Sequence, residues 1–256
     1  MFFDFVGLNT FVNSEINGNT LQFKDVRHFY NLDNAGFITA STATALDNEI
    51  GSGRSATKTA IYFWIYQKPS DDGNNNFIFN FGDLDYRCSI RSNGRLQLRS
   101  RFSTQESNFI TNETIPSEQW TLVSIYRNPT EQHVNPIINF KSLDGTTDVT
   151  TATFTFAQQA TGTFDGIADA GLVIGDIFDG SINIMKISNF GIVNGDNNFT
   201  SVKATDAFND IYSRGLDSNW AIDGVYAIDN LLNTDFIFYL NAKYDTYNSI
   251  TNRLRS

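Results

Sequence analysis

The sequence contains one cysteine, Cys88, which rules out an intrachain disulfide and a cysteine-rich metal cage. Its two histidines, His28 and His133, stand in polar, loop-like surroundings and read as surface residues rather than catalysts. No serine sits in a nucleophile elbow, and no phosphate-cradling glycine loop runs into a helix. Positive charge is scarce: 18 basic residues face 28 acidic ones, for a net charge of −10. Surfaces that bind nucleic acid carry the reverse balance, because phosphate contacts dominate the affinity, so no nucleic-acid partner is expected. No apolar run reaches the length of a membrane-spanning helix, so membrane insertion is not expected. The opening Met-Phe-Phe-Asp-Phe-Val-Gly-Leu lacks a signal peptide's basic leader, which points to synthesis in a host cytoplasm. The sequons at Asn112 and Asn198 would matter only in a secretory compartment.

Aromatic residues and turn formers are abundant instead. There are 23 Phe and 10 Tyr, and only 18% of residues are charged, a composition that favours a packed core over disorder. About one residue in nine is Asn, which with Gly supplies the positive-φ positions of short turns. Period-2 alternation dominates, as in an all-β chain. In Thr59 to Tyr66, Ile61, Phe63 and Ile65 fall on one face and Tyr62, Trp64 and Tyr66 on the other. Trp120 to Tyr126 is apolar on both faces, as a central strand covered twice should be. Further strands are predicted at Phe77 to Phe81, Ile137 to Phe140 before the Leu143-Asp-Gly145 turn, Thr151 to Phe156, Leu172 to Ile177, Ile182 to Ile192 and Thr234 to Leu240. One amphipathic helix is predicted, with Thr205 as N-cap, a Phe208, Ile211 and Tyr212 stripe, and a stop at Arg214 and Gly215. Ser218 to Leu232 holds a candidate second helix, weakened by Gly224.

Between Asp85 and Phe102 the alternation also fixes a register. A two-residue Asn93-Gly94 turn would put polar and apolar residues on the same face. A three-residue Ser92-Asn93-Gly94 loop, with Gly94 in the left-handed region, instead pairs Arg91 with Arg95, Ile90 with Leu96 and Arg87 with Arg99. The product is an amphipathic hairpin with a cationic outer face, in which Asp85 is a candidate partner for Arg101.

Three stretches carry a family resemblance: Thr59-Ala-Ile-Tyr-Phe-Trp-Ile-Tyr66; Glu118-Gln-Trp120 through Tyr126 with the strand and turn to Gly145; and Leu172-Val-Ile-Gly175 followed by Phe178-Asp-Gly180 through Ile187 and the terminal helix. In this order they resemble the concanavalin A-like, laminin-G-like jelly rolls. The resemblance implies an all-β, two-sheet antiparallel sandwich with one or two short helices near the C-terminus. Residues 1–215 form this sandwich, with the clearest match over 58–215, and residues 216–256 are a C-terminal extension that is either a returning strand or an assembly arm. Relatives with this fold include glycosidases, but the Glu-x-Asp-x-x-Glu pattern of the glucanase branch is missing and only Asp83-Leu-Asp85 offers a close carboxylate pair, so no enzyme is expected. Other relatives hold calcium at the rim. The loop acids Asp71, Asp72, Asp165, Asp169, Asp176 and Asp179 have suitable oxygens, with Asp176 and Asp179 the nominal choice, and no other cofactor is implied.

Two faces remain as candidate binding surfaces. Tyr62, Trp64 and Tyr66 would stack on sugars if open, although a large aromatic face is normally buried. Arg87, Arg91, Arg95 and Arg99 lie within reach of one another, which suits an anionic partner, or else they form a solvated face neutralised by nearby acids. The apolar termini, with Phe2, Phe3 and Phe5 at one end and Phe236, Phe238 and Tyr239 at the other, read either as assembly surfaces or as core strands. The functional expectation is a non-catalytic structural or decorating protein of an assembled particle, a bacteriophage virion, forming a homo-oligomer and contacting other virion proteins or surface glycans. A free carbohydrate-binding module is the alternative, and a glycoside hydrolase a distant third.

Overall fold

The computed structural model describes residues 8–17, 20–31, 37–40, 58–68, 75–81, 86–101, 105–127, 135–160, 172–175, 184–195, 199–216, 218, 220 and 235–241. These form two antiparallel sheets. The first runs β1 (Leu8–Asn17), β2 (Thr20–Asn31), β14 (Ile184–Gly195), β4 (Lys58–Lys68), β9 (Trp120–Arg127), β10 (Ile137–Ser142) and β11 (Asp148–Val149), with β15 (Asp235–Asn241) also paired to β14. The second runs β12 (Phe154–Gln158), β8 (Glu106–Thr114), β7 (Arg95–Arg101), β6 (Tyr86–Ile90), β5 (Asn76–Phe81), β13 (Leu172–Gly175) and β3 (Phe37–Ala40). The protein is therefore an all-β sandwich, its described residues forming an eight-stranded and a seven-stranded sheet. Neighbours in each sheet are mostly distant in sequence. Lys186 sits opposite both Asn31 and Tyr66, for example.

Alternation along β4 divides the interior into two layers. Ile61, Phe63 and Ile65 face the second sheet, where Phe63 contacts Phe79 edge-on at 6.5 Å and stacks with Phe190 at 5.9 Å. Tyr62, Trp64 and Tyr66 face the other way, beneath helix α1 (Ser201–Arg214). The aromatic face is thus core and is closed to sugars: Tyr62 and Trp64 have no exposed surface. Trp64 stacks on Tyr212 at 5.9 Å, the Tyr62 hydroxyl donates to the Ala204 carbonyl at 3.1 Å, and the Tyr212 hydroxyl donates to the Ser142 carbonyl at 2.9 Å. Trp120 to Tyr126 is buried on both faces, since β9 lies between β4 and β10 with a core on either side.

The helix ends where the sequence predicts and begins a turn earlier. Gly215, at φ 79°, donates its N–H to the Tyr212 carbonyl and stops the helix. The N-cap is Thr200, not Thr205: its hydroxyl accepts from the Lys203 N–H at 3.3 Å, and the preceding Phe199 is buried edge-on against Tyr126. Asp206 accordingly sits inside the helix. Thr200→Ala is expected to lower the unfolding free energy by about 1 kcal/mol. Thr205→Ala should change it by less than about 0.5 kcal/mol, as surface substitutions do. Urea midpoints of the two variants check this, and a larger loss at Thr205 would contradict the cap assignment.

Several other expectations are corrected. The strand placed at Thr151 to Phe156 starts at Phe154 and ends at Gln158, because Thr151 adopts φ 64° and turns the chain before it. His28 is a strand residue on β2, opposite Thr10, rather than a loop residue. The β2 and β15 segments both belong to the eight-stranded sheet. They lie in tandem on one edge of β14, β2 at Lys186 and Ile187 and β15 from Asn189 to Asn194. Most of the candidate second helix lies outside the described residues, as do His133, Phe2, Phe3 and Phe5 and everything after Asn241.

Candidate functional site

The β6–β7 hairpin puts the arginines where the alternation predicts. Gly94, at φ 78°, donates its N–H to the Arg91 carbonyl at 2.8 Å, and the Arg91 N–H meets the Arg95 carbonyl at 2.9 Å. The Asn93 side-chain oxygen accepts from the Arg95 N–H at 3.3 Å and pins the loop from within. The ladder then pairs Ile90 with Leu96, Cys88 with Leu98 and Arg87 with Arg99, the register of a three-residue loop. Tyr86, Cys88, Ile90, Leu96 and Leu98 line the inter-sheet core. Burial pushes the Cys88 thiol well up, so it stays protonated as a small apolar residue.

On the outer face the four arginines have different surroundings. Glu106, the first residue of β8 and directly opposite Arg101, reaches back across the sheet. Its carboxylate lies 2.9 Å from Arg87 Nη2 and 3.7 Å from Arg99 Nη1. With its amide turned so that the oxygen accepts, Gln97 takes Arg99 Nε at 2.9 Å and Nη2 at 3.0 Å. The Arg87 side chain is only 14% exposed, so Arg87 and Glu106 form a half-buried charged pair rather than an open cation. Arg95 Nη1 crosses β8 to donate to Thr155 Oγ1 at 3.0 Å, and Thr155 in turn donates to the Asn112 side-chain oxygen. Among the described residues no side chain partners the Arg91 guanidinium.

The face therefore has a closed end, where Arg87 and Arg99 share Glu106, and an open end at the hairpin tip, where Arg91 and Arg95 sit opposite each other. Glu106 and Gln97 were not visible as partners in the sequence. The signal was the register across β7 and β8, which sets Glu106 against Arg101 in the place offered to Asp85. Asp85 itself, with Asp83, lies outside the described residues, as do all six loop acids considered for calcium, Asp176 and Asp179 included. Among the described residues no three His, Cys, Asp or Glu side chains converge on a point. The acid in the β10–β11 turn is locally satisfied: Asp144 accepts from Ser142 Oγ at 2.6 Å and from the Thr146 hydroxyl at 2.8 Å, and these bonds hold its carboxyl below the usual range.

Of the residues proposed for assembly, Phe236 and Phe238 lie on β15 within the eight-stranded sheet. Tyr239 is built into the chain's own core. It is 8% exposed, its ring lies 5.3 Å from Trp220, and its hydroxyl accepts from the Trp220 N–H at 3.0 Å. Tyr239 thus packs within the second layer of the core, together with Trp220.

No family model matches the chain, and no curated protein matches it. Among solved structures it is similar in fold to a receptor-binding domain of botulinum neurotoxin mosaic serotype C/D, with 15% identity over 80% of this chain and 45% of that one at a TM-score of 0.45. It is also similar to the binding domain of botulinum neurotoxin DC solved with rat synaptotagmin II (12% identity, 72% and 42% coverage, TM-score 0.43). The binding domain of botulinum neurotoxin serotype D/C gives 13% identity, 72% and 43% coverage and a TM-score of 0.43. The chain spans less than half the length of each of these domains.

Proposed function

We propose that this chain is a non-catalytic binding and assembly protein, a concanavalin A-like jelly roll serving as a structural or decorating component of a bacteriophage virion. It self-associates in that setting and takes an anionic partner, an acidic surface glycan, on the outer face of its seven-stranded sheet. The observation that carries the binding part is the open hairpin tip. Arg91 and Arg95 face each other where the hairpin loop closes, joined by the Arg91 N–H to Arg95 carbonyl bond, on a chain whose net charge is −10, while Glu106 neutralises only the far end of the face. Like charges placed opposite each other destabilise a sheet, and an anion between them relieves the repulsion. Arg also offers the planar fork that grips carboxylate and sulfate groups.

Binding to carboxylated and sulfated glycans should weaken with added salt, as exposed charge pairs do. The double reversal Arg91→Glu with Arg95→Glu is expected to reduce affinity by about tenfold or more, the equivalent of about 1.4 kcal/mol. Calorimetric titration checks this, with circular dichroism to confirm the fold. Unchanged affinity would return the arginines to a solvated face. Incubation with a polysaccharide panel should release no reducing ends. Reproducible release, lost in Asp83→Asn or Asp85→Asn, would show that the chain is an enzyme.

A further inference from the structure

The arginine face ends at an edge strand whose character differs from the rest of the surface. Beyond Phe154, which packs on the core, Thr155, Phe156, Ala157 and Gln158 of β12 are all exposed, so this part of the strand shows solvent both its faces. A strand packed on a core would alternate buried and exposed, as β8 does before it. Phe156 is 44% exposed, one of two large apolar side chains so exposed among the described residues. Antiparallel pairing holds β12 to β8, and among the described residues no strand meets its other edge. Natural sheets guard such edges with lysine, proline, short strands or bulges. From Phe154 to Gln158 there is no charge and no proline. The one irregularity, between Phe154 and Phe156, lies at the N-terminal end and leaves Phe156, Ala157 and Gln158 in regular register with Ile110, Phe109 and Asn108. By contrast, the eight-stranded sheet ends in β11, only two residues long, with Asp148 tied to Lys141.

We infer that the free edge of β12 is a docking edge for the same strand of a second copy of this chain, joining two seven-stranded sheets about a two-fold axis. This rests on the assembly reading above and gives it a location. The occupant follows from charge. A chain at −10 repels its own copies over most of its surface. At β12 the strand is neutral, and it is flanked by one base, Arg95 on Thr155, and one acid, Glu113 on Thr153. Run antiparallel to itself, such a strand opposes no like charges within the ladder. Each copy presents the same patch, as a two-fold interface requires. One short strand pair buries less than the roughly 1,200 Å² of a stable interface, so the dimer is weak, depends on concentration and is strengthened by salt that screens the overall repulsion.

Sedimentation of the full chain over a concentration series, at low and moderate salt, tests this. Wild type should self-associate, more readily in salt. Phe156→Lys and Ala157→Pro should each weaken association by about tenfold or more, while Val202→Lys, on the exposed outer face of α1, should not. If Ala157→Pro fails to fold, amide exchange decides: protection of residues 155–158 in wild type should rise with concentration. Association untouched by the β12 variants would overturn the docking edge and leave the assembly reading standing. A wild-type chain monomeric throughout would overturn both. Protection that appears only when a different protein is added, with the chain alone monomeric, would overturn the second copy as occupant.

Discussion

Trp64→Ala is expected to lower the unfolding free energy by about 3–5 kcal/mol, the range for truncating a large aromatic side chain in a core. The indole has no exposed surface and lies on β4 between β14 and β9. It is also the surface on which α1 rests, stacked with Tyr212. Removing it leaves a void under the helix that a close-packed sheet cannot collapse to fill. The loss should show as a lower denaturant midpoint and weaker helical dichroism. Trp64→Phe, which keeps most of the ring contact, should lose far less. An alanine variant within about 1 kcal/mol of wild type would mean that the helix is held elsewhere and this layer is not core.

Alkali should unfold the protein by way of two buried phenols. Burial raises the Tyr62 hydroxyl far above its usual value of 10.0, and nearby Tyr126 raises it further. Burial raises Tyr86 in the same direction, partly offset by Arg127, whose guanidinium carbon sits 5.3 Å from the ring centroid. In both cases the native pKa exceeds the unfolded one. The protonated native form is therefore fully favoured below about pH 10, and its stability falls as pH climbs past that point toward the native value. Phenolate absorbance should appear together with loss of tertiary structure, not before it. Tyr62→Phe gives up one hydrogen bond, so it should be about 1 kcal/mol less stable at neutral pH yet decline less steeply above about pH 10. An identical alkaline slope in Tyr62→Phe and Tyr86→Phe would refute the mechanism.

Where a single strand or hairpin fixed its own geometry, the sequence was legible. The two faces of β4 follow from strict alternation, and the β6–β7 register follows from the one loop length that keeps Cys88, Ile90, Leu96 and Leu98 on one side. The Gly215 stop is equally local. What escaped depends on contacts distant in the chain. Two threonines can cap the same helix in principle, and Thr200 caps it because Phe199 is buried against Tyr126, far away on β9. Glu106 becomes the counter-ion of Arg87 only once β8 pairs with β7. Thr151 to Phe156 reads as a strand by propensity, but nothing in it says that it will be the outermost one. Tyr239 looks like surplus apolar surface until Trp220 closes over it.

The tandem placement of β2 and β15 on one edge of β14 bears on how the chain is made. A ribosome delivers β4 long before β14, so Ile61 and Phe63 wait for Ile192 and Phe190 to emerge. β2 waits for the same strand, which then remains half bare until β15 arrives. Vectorial synthesis thus leaves one edge of β4 open until β14 emerges. The sheet is finished by its latest segment, and closing loops this long slows folding. During that interval the nascent chain shows β2 and β4, and then β14, each with an edge still unpaired. Holdase chaperones and slower translation should therefore raise the soluble yield by shielding those strands until the last one is made.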